Sequence, residues 1–327
     1  MKNILKSVAM AILLMVSAGP ASAESMPKMT IATGVDPGFS HFYIVTLAEI
    51  AKKHGLDVDL KTGPSGGRTV PLVISNQSNA SMSAALAGIN NHLADDSVVA
   101  VAQVVTYDKY FGIVSLKDIK TVAGLKNKKV GITKGTASET LWLEILKNDG
   151  LDPAVYNKGV VNVEAPEMVA AMERGDIQAF SGWEPWLSRT VLALDNTKVL
   201  QSNEGVLLDL GFIYMNRGWI EQNRSTAEKF MKAMVETTEF IKTKPEETKK
   251  LVGKLLNLSP ELMDQLMPKL TFYLKLDDQS YNLTKVHIEQ LVRKGRLKKG
   301  QFDYTKWFYP DLLKAVAPSR VSLPGKM

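Results

Sequence analysis

The sequence of 327 residues contains no cysteine. Disulfide bonds are therefore excluded, and so is a lipid-modified cysteine at the start of an exported chain. Histidine is scarce as well: its four copies are scattered and form no HExxH motif, so the sequence predicts no metal site. Neither GxxxxGK[ST] nor GxGxxG occurs, which removes the usual phosphate-binding and dinucleotide-binding motifs. We expect no metal and no cofactor.

Long apolar runs are few. The run at 8–16 is shorter than the roughly 20 residues that a membrane-spanning helix needs. It is flanked by a charged start and by a helix breaker with small residues: Lys2, Lys6, Gly19-Pro20 and Ala21-Ser22-Ala23. This pattern is typical of a secretory signal peptide. We expect a signal peptide at residues 1–23, cleavage after Ala23 and a mature protein that is free in the periplasm.

Excess charge is modest. The formal charge of +6 falls to +4 when Lys2 and Lys6 leave with the signal peptide. The basic runs "KTKPEETKK" (242–250) and "RKGRLKKG" (293–300) are mixed with acids or glycine, which favours solvated surfaces over a nucleic-acid site. We expect a monomer with no nucleic-acid partner.

Strand-like and helix-like segments alternate in the first hundred mature residues. Apolar residues at helical spacing over 42–56 predict a helix among strands at "MTIATG" (29–34), "DVDLKTG" (57–63) and "SVVAVAQVV" (97–105). Such alternation predicts βαβ units and a largely parallel sheet. A second alternation begins near "KKVGIT" (128–133), and the segments after residue 216 are predicted to be helical.

A helix with a visible start is predicted at 136–150. Thr136 and Glu139 have the spacing of a capping box, and Gly135 precedes them. The free backbone N–H groups of the first turn, beside the Thr136 and Ser138 hydroxyls, would suit an anion. Simple capping with nothing bound is the alternative.

The segment "SGWEPWL" (181–187) holds two of the five tryptophans. Proline favours the first position of a helix, so Pro185 predicts a helix start. Trp183 and Glu184 then lie at the carboxyl end of the preceding strand, where open α/β sheets bind ligands. Trp186 is predicted to be a packing residue.

The segment "GPSGG" (63–67) matches the G-x-S-x-G pattern of a nucleophile elbow, with Ser65 at its centre. No HGGG-like oxyanion segment precedes it, and His92 and His287 are the only histidines downstream. A glycine-rich turn is the simpler interpretation, and a secreted serine hydrolase using Ser65 stays as the alternative of another class. We expect no enzyme.

Three segments together resemble a known family: "GVDPGFSHFYIVTLAEIAKKHGLDVDL", "TVAGLKNKKVGITKGTASETLWLEILKNDGLDP" and "APEMVAAMERGDIQAFSGWEPWL". They are similar to the substrate-binding proteins of ABC importers in the nitrate/sulfonate/taurine group, which shares its fold with thiamine-pyrimidine-precursor-binding proteins. Asn127 departs from the glycine usual in that group, and "TYDKYFGIVS" (106–115) is less like its crossing segment.

The resemblance implies a type II periplasmic binding fold, an α/β fold with two lobes, two crossing strands and a helical C-terminal tail. It places lobe one at 27–110 and 213–327, and lobe two at 111–212. The implied function is capture of a small organic anion or zwitterion, with sulfonates and taurine favoured, for delivery to a membrane permease. Nitrate, a pyrimidine or thiamine precursor and an aromatic carboxylate remain open.

The implied ligand-binding residues come from both lobes. Lobe one would supply Phe39, His41, Ser81, Ser83 and Tyr107. Lobe two would supply Thr136, Ala137, Ser138, Trp183 and Glu184, and Asp209 would lie near the return crossing. Glu184 and Asp209 would favour a zwitterion or a cationic ring over a bare anion, and Trp183 could stack on such a ring.

Overall fold

The computed structural model describes residues 25–325. The expected signal peptide and its cleavage after Ala23 lie outside the described residues. Within them, no helix is both long and apolar enough to cross a membrane.

The strands, in chain order, are β1 (Lys28–Thr33), β2 (Asp57–Thr62), β3 (Ala80–Ala84), β4 (Val98–Tyr107), β5 (Phe111–Leu116), β6 (Val130–Ile132), β7 (Val160–Asn162), β8 (Ala179–Trp183), β9 (Thr197–Ser202), β10 (Asp209–Asn216), β11 (Leu270–Asp277) and β12 (Val321–Ser322).

The helices are α1 (Ser40–Leu47), α2 (Ile50–Lys53), α3 (Pro71–Ile74), α4 (Ala85–Ala94), α5 (Ala137–Asn148), α6 (Pro153–Tyr156), α7 (Met168–Glu173), α8 (Trp186–Ala193), α9 (Arg217–Gln222), α10 (Arg224–Thr243), α11 (Pro245–Leu256), α12 (Pro260–Leu266), α13 (Asp278–Arg293), α14 (Tyr304–Trp307) and α15 (Pro310–Val316).

The first lobe is built on a seven-stranded sheet of order β12-β11-β4-β10-β3-β1-β2. Strands β1, β2 and β3 are parallel, whereas β10 runs antiparallel to β3 and β4. All ten residues of β4 are buried, which explains its continuous apolar sequence. Helices α1, α4 and α10 pack against this sheet.

The second lobe is built on a five-stranded sheet of order β7-β6-β8-β5-β9. Here β6, β7 and β8 are parallel and β5 is antiparallel to its two neighbours. The chain passes from β4 to β5 through residues 108–110 and returns from β9 to β10 through residues 203–208. The return therefore precedes the expected boundary at 212, because β10 lies wholly in the first sheet.

Two local expectations differ from the structure. The helix expected at 42–56 is interrupted, because Glu49 adopts a left-handed conformation (φ 54°) between α1 and α2. The tail is mostly helical, but it also contributes β11 to the first sheet. Leu270, Phe272 and Leu274 alternate with more exposed residues there, which is the period-two pattern of a strand with one buried face.

Candidate functional site

The carboxyl ends of β1, β3 and β4 meet at one edge of the first sheet, next to both crossings. The carboxyl ends of β6 and β8 form the facing edge of the second sheet. Between these edges lies a small cavity of about 30 Å³. Both lobes line it: Asp36, Phe39, Ser65, Gly66, Gly67, Ser83, Ala84 and Tyr107 from the first, and Phe111, Thr136, Ala137 and Trp183 from the second.

Asp36 is a buried carboxyl in this lining, with 4% of its surface exposed. It follows β1 and caps a short 3-10 turn, because its Oδ1 accepts the Gly38 amide at 2.6 Å. The same oxygen accepts the hydroxyl of Tyr110, in the first crossing. Burial raises the pKa of Asp36 to about 7, although the hydrogen bonds from Tyr110 and Gly38 act in the opposite direction.

Gly38 allows this arrangement. A Cβ atom at this position would lie 2.5 Å from a ring carbon of Tyr107, a contact that side chains do not tolerate. The absence of a side chain thus lets the turn that carries Asp36 approach the end of β4, and places the carboxyl beside the aromatic wall of the cavity.

The segment "GPSGG" forms the turn after β2. Ser65 is 3% exposed, and its Oγ has no hydrogen-bond partner among the described residues. A Cβ atom on Gly67 would lie 3.8 Å from that Oγ and 3.5 Å from Cγ2 of Thr136, so the turn meets the second lobe across a narrow gap. A buried hydroxyl without a partner carries a desolvation cost, which a polar ligand atom would relieve.

The start of α5 faces this turn. Thr136 is the N-cap, and its Oγ1 accepts the Ser138 amide at 3.3 Å. Glu139 Oε2 accepts the amide of Gly135, one residue before the N-cap, at 2.9 Å, so the helix start is capped but the expected Thr136–Glu139 capping box is not formed. Burial raises the pKa of Glu139, but the Gly135 amide and Lys294 outweigh that effect and leave it below its ordinary value. Thr136 and Ala137, at this helix start, lie in the cavity wall.

Aromatic rings form much of the remaining wall. The Tyr107 ring lies 5.2 Å from that of Tyr110 and 5.1 Å from that of Phe111, between ring centres. Phe39 and Trp183 complete the wall and are 5% and 7% exposed. Among the described residues, the cavity lining includes no lysine, arginine or histidine. The site therefore combines aromatic faces, hydroxyl groups, a helix start and one carboxyl.

Six of the eleven residues expected at the site line the cavity together: Phe39, Ser83, Tyr107, Thr136, Ala137 and Trp183. The other five lie outside its lining. Ser81 is one pleat further from the strand end than Ser83, and its hydroxyl pairs with Thr69 at 2.8 Å. Ser138 is turned to the second sheet, where its hydroxyl donates to the Ser181 carbonyl at 2.6 Å.

His41 lies in the interior of the first lobe. Its Nε2 is 3.1 Å from the Thr238 hydroxyl and its ring packs 5.6 Å from that of Phe272. Burial lowers the pKa of His41 to about 3, so the ring is neutral at physiological pH. His41 is a residue of α1 that contacts Thr238 of α10, and it does not reach the cavity lining.

The two acids expected at the site already have partners. Glu184 binds Lys269 at 2.7 Å and accepts the Ser188 amide at 3.0 Å at the start of α8. Asp209 lies 3.1 Å from Nε2 of His287, on α13. Both acids that the sequence suggested as ligand-binding residues therefore make structural contacts instead: Glu184 joins the second lobe to Lys269 of the tail, and Asp209 joins β10 to α13.

Sequence reasoning did not select Asp36, Ser65 or Phe111 as lining residues. A signal existed for two of them: Asp36 follows β1 and Ser65 follows β2, at the sheet edge where ligands bind in open α/β folds. The sequence favours a glycine-rich turn over a nucleophile elbow at Ser65, and that turn brings the Ser65 hydroxyl to the cavity.

A larger hollow, of about 670 Å³, lies between α5 and α13. Most of its charged groups pair with one another: Arg293 binds Glu144 at 2.6 Å and Lys294 binds Glu139 at 3.1 Å. It does not lie between the facing strand ends, so the smaller cavity, which does, is the candidate ligand site. Within residues 25–325, no three histidine, cysteine or acidic side chains are grouped as a metal site would require.

Comparison with known proteins identifies the family. A family model described as NMT1/THI5 like matches residues 51–248. The chain belongs to this family. A curated relative, named as a candidate aliphatic sulfonates-binding protein of Escherichia coli (strain K12), is 26% identical over 140 residues, which cover 43% of this chain and 43% of the relative. The match therefore spans less than half the length of that relative.

Solved structures with a similar fold cover nearly the whole chain. The alkanesulfonate-binding protein SsuA from Xanthomonas axonopodis pv. citri, bound to MOPS, has a TM-score of 0.74 at 16% identity, over 91% of this chain and 98% of that one. The periplasmic nitrate-binding protein NrtA from Synechocystis PCC 6803 has a TM-score of 0.73 at 16% identity, over 90% and 89%. The fold is thus that of periplasmic binding proteins, as expected.

The same fold also occurs in an enzyme. The desulfurization enzyme DSZB has a TM-score of 0.63 at 12% identity, over 90% of this chain and 99% of that one. Fold likeness alone therefore does not separate binding from catalysis, and the residues of the cavity must decide.

Proposed function

We propose that this protein is the periplasmic substrate-binding component of an ABC importer, which captures a small organic anion or zwitterion of the sulfonate and taurine class between its lobes. It would deliver the ligand to a membrane permease. Family membership and the names of the sulfonate-binding relatives support the class.

The observation that carries the proposal is a cavity lined from both lobes at the facing strand ends. The unpartnered Ser65 hydroxyl and the start of α5 converge there from opposite sides. Backbone N–H groups at a helix start and a hydroxyl without a partner are suitable donors for sulfonate or carboxylate oxygens. A ligand that contacts both groups would favour the closed arrangement of the lobes.

The size of the cavity supports a movement of the lobes. A volume of about 30 Å³ holds one or two waters, whereas small-molecule sites usually span about 300–1,000 Å³. A ligand of this class needs more room than that, so the lobes would lie further apart in the ligand-bound protein than in this structure. The crossings at 108–110 and 203–208 are the segments about which they would turn.

A pyrimidine or thiamine precursor, or an aromatic carboxylate, is the second ligand class that the cavity favours. The observation behind it is the wall of Phe39, Tyr107, Phe111 and Trp183, which offers faces for stacking on a planar ring.

A serine hydrolase is not supported, and we propose that the protein is not an enzyme. A nucleophilic serine needs a base within hydrogen-bond reach. The nearest contacts of the histidines are all to groups other than Ser65: His41 to Thr238, His54 to Glu236, His92 to the Val98 carbonyl and His287 to Asp209.

The test is thermal unfolding of the purified mature protein with taurine, ethanesulfonate, nitrate, benzoate and an aminopyrimidine. A ligand present at one hundred times its dissociation constant should add about 2.7 kcal/mol to the free energy of unfolding. Trp183→Ala should reduce that gain. Leu192→Ala should not, since Leu192 is 74% exposed. Stabilisation by none of these compounds at millimolar concentration would contradict the proposed function.

A further inference from the structure

The acids near the lobe interface differ in their partners. Glu184 is paired with Lys269, and Asp209 contacts His287. Asp36 lines the cavity, and no lysine, arginine or histidine among residues 25–325 lies within ion-pair distance of its carboxyl. Its carboxyl accepts hydrogen bonds from the Gly38 amide and the Tyr110 hydroxyl. A buried carboxylate without a cation is costly, and a cationic ligand group would remove that cost.

The groups around Asp36 come from four elements. Tyr43 of α1 accepts the Asp36 amide at 3.2 Å, Tyr107 of β4 lies against the same turn, and Tyr110 of the crossing donates to the carboxyl. Glu184, after β8, acts on Asp36 as a further negative charge, although Lys269 is bound to it. None of these groups supplies a positive charge to Asp36 directly.

We propose that Asp36 determines the ligand class by pairing its carboxylate with an ammonium or protonated nitrogen on the ligand, so that the protein selects compact zwitterions over simple anions. This inference rests on the proposed function and narrows it. The anionic end of the zwitterion is held by Ser65 and the start of α5, and its cationic end lies between Asp36 and the aromatic wall.

The aromatic wall reinforces this selection. Tyr107 is in contact with the turn of Asp36, and Phe39 and Trp183 line the same cavity. An ammonium group close to aromatic faces gains a cation–π attraction in addition to its ion pair. A simple alkanesulfonate gains neither, and its charge would be repelled by an ionised Asp36.

The experiment compares taurine with ethanesulfonate, which has the same chain and sulfonate but no amine. Isothermal titration calorimetry is performed on the mature protein, on Asp36→Asn and on Asp59→Asn. The asparagine variant keeps the shape of the side chain and an oxygen for the Tyr110 hydroxyl. Asp59 is an exposed residue of β2, away from the cavity lining, and provides the matched control.

Wild type and Asp59→Asn should bind taurine at least tenfold more tightly than ethanesulfonate, and Asp36→Asn should lose that preference. The pH profile gives a second readout that a purely structural role would not change. As the pH falls from 7.5 to 6, Asp36 takes up a proton, so taurine binding should weaken at least threefold and ethanesulfonate binding should strengthen. Asp36→Asn should show neither trend.

Equal binding of taurine and ethanesulfonate by the wild type would overturn this inference and leave the proposed function standing. A taurine preference that survives in Asp36→Asn would overturn it too. Binding of neither compound, at either pH, would overturn the inference together with the sulfonate class of the proposed function.

Discussion

The lobes meet in two chemically different regions, the cavity and its surroundings. The cavity lining has no basic side chain among the described residues and holds one carboxyl, Asp36. Around it, four ion pairs join the lobes, with nitrogen–oxygen distances between 2.6 and 3.1 Å for three of them: Lys269–Glu184, Arg293–Glu144, Lys294–Glu139 and Arg68–Glu164.

The four surrounding ion pairs have the same polarity across the interface between the lobes. In each of them the cation belongs to the first lobe and the carboxylate to the second, and we call these four the peripheral pairs. Opposite charge on facing surfaces favours closure before any ligand is bound, and salt would weaken it. The cavity instead holds the Asp36 carboxyl, which among the described residues has hydrogen-bond donors but no cation, and the Ser65 hydroxyl, which has no partner among them; on our proposal the ligand contacts both. On the proposed function, closure and ligand selection would therefore depend on different residues.

The two tryptophans of "SGWEPWL" should give the largest effects that distinguish residues which stabilise the fold from residues which bind the ligand. Trp186 packs at the start of α8 with the Arg189 guanidinium 4.9 Å from its ring centre, whereas Trp183 lines the cavity. Trp186→Ala should lower the free energy of unfolding by about 3–5 kcal/mol through the cavity that it leaves. Trp183→Ala should lower taurine affinity by about 1–3 kcal/mol.

Urea unfolding and calorimetric titration of both variants measure these losses. Taurine binding by Trp183→Ala at wild-type affinity, together with abolished binding by a fully stable Trp186→Ala, would reverse the two roles.

Asp36 should also affect stability, with a defined dependence on pH. The folded protein keeps the Asp36 proton up to about pH 7, whereas the unfolded chain releases it near the ordinary value of 3.8. Wild-type stability from this residue is therefore fully present below pH 4 and is lost as the pH rises to 7. The amide side chain of the Asp36→Asn variant cannot titrate. The free energy of unfolding of this variant, relative to that of the wild type, should therefore rise by on the order of 3 kcal/mol as the pH increases across that interval.

Urea unfolding at pH 4.5 and pH 7.5 measures this difference, with Asp59→Asn as the control. A constant difference between wild type and Asp36→Asn at the two pH values would show that the Asp36 carboxyl is ionised in the folded protein throughout.

The peripheral pairs should give a smaller effect that depends on salt. Glu144 accepts hydrogen bonds from Gln290 at 2.7 Å and Arg293 at 2.6 Å, but the Arg293 side chain is 45% exposed. We expect Glu144→Gln to cost about 1 kcal/mol in low salt and less at about 1 M salt, since exposed pairs are weak and screened. A double-mutant cycle with Arg293→Gln, measured by urea unfolding, isolates the pair. A coupling energy that is unchanged by salt would argue against a screened contact.

The sequence predicted elements whose signal is local. The apolar run of β4, the capping residues Thr136 and Glu139 and the strand before Trp183 all carry their pattern within a few residues. The placement of β11 in the first sheet is not local, because it depends on pairing with β4 across more than 160 residues of chain. The apolar residues of β11 alternate in the sequence, but the segments on both sides have helical periodicity, so a strand between them is hard to recognise.

Site residues could be predicted where a local sequence motif marks them. They could not be predicted where contacts between distant parts of the chain determine whether a residue faces the cavity. Trp183 and Thr136 lie next to a helix start that the sequence shows. Asp36 caps a turn, and a capping aspartate looks the same in sequence whether it faces water or a cavity. Its character comes from burial against Tyr107 and Tyr110, which are distant in the chain.

The central claim is that one ligand is held by both lobes, and a distance between the lobes tests it most directly. Because the chain has no cysteine, Lys61→Cys in the first lobe and Glu167→Cys in the second can be spin-labelled specifically, and both positions are exposed. Double electron–electron resonance should show a broad distribution without ligand, which saturating taurine narrows and shortens. An unchanged distribution, with taurine shown to be bound by calorimetry, would contradict this account.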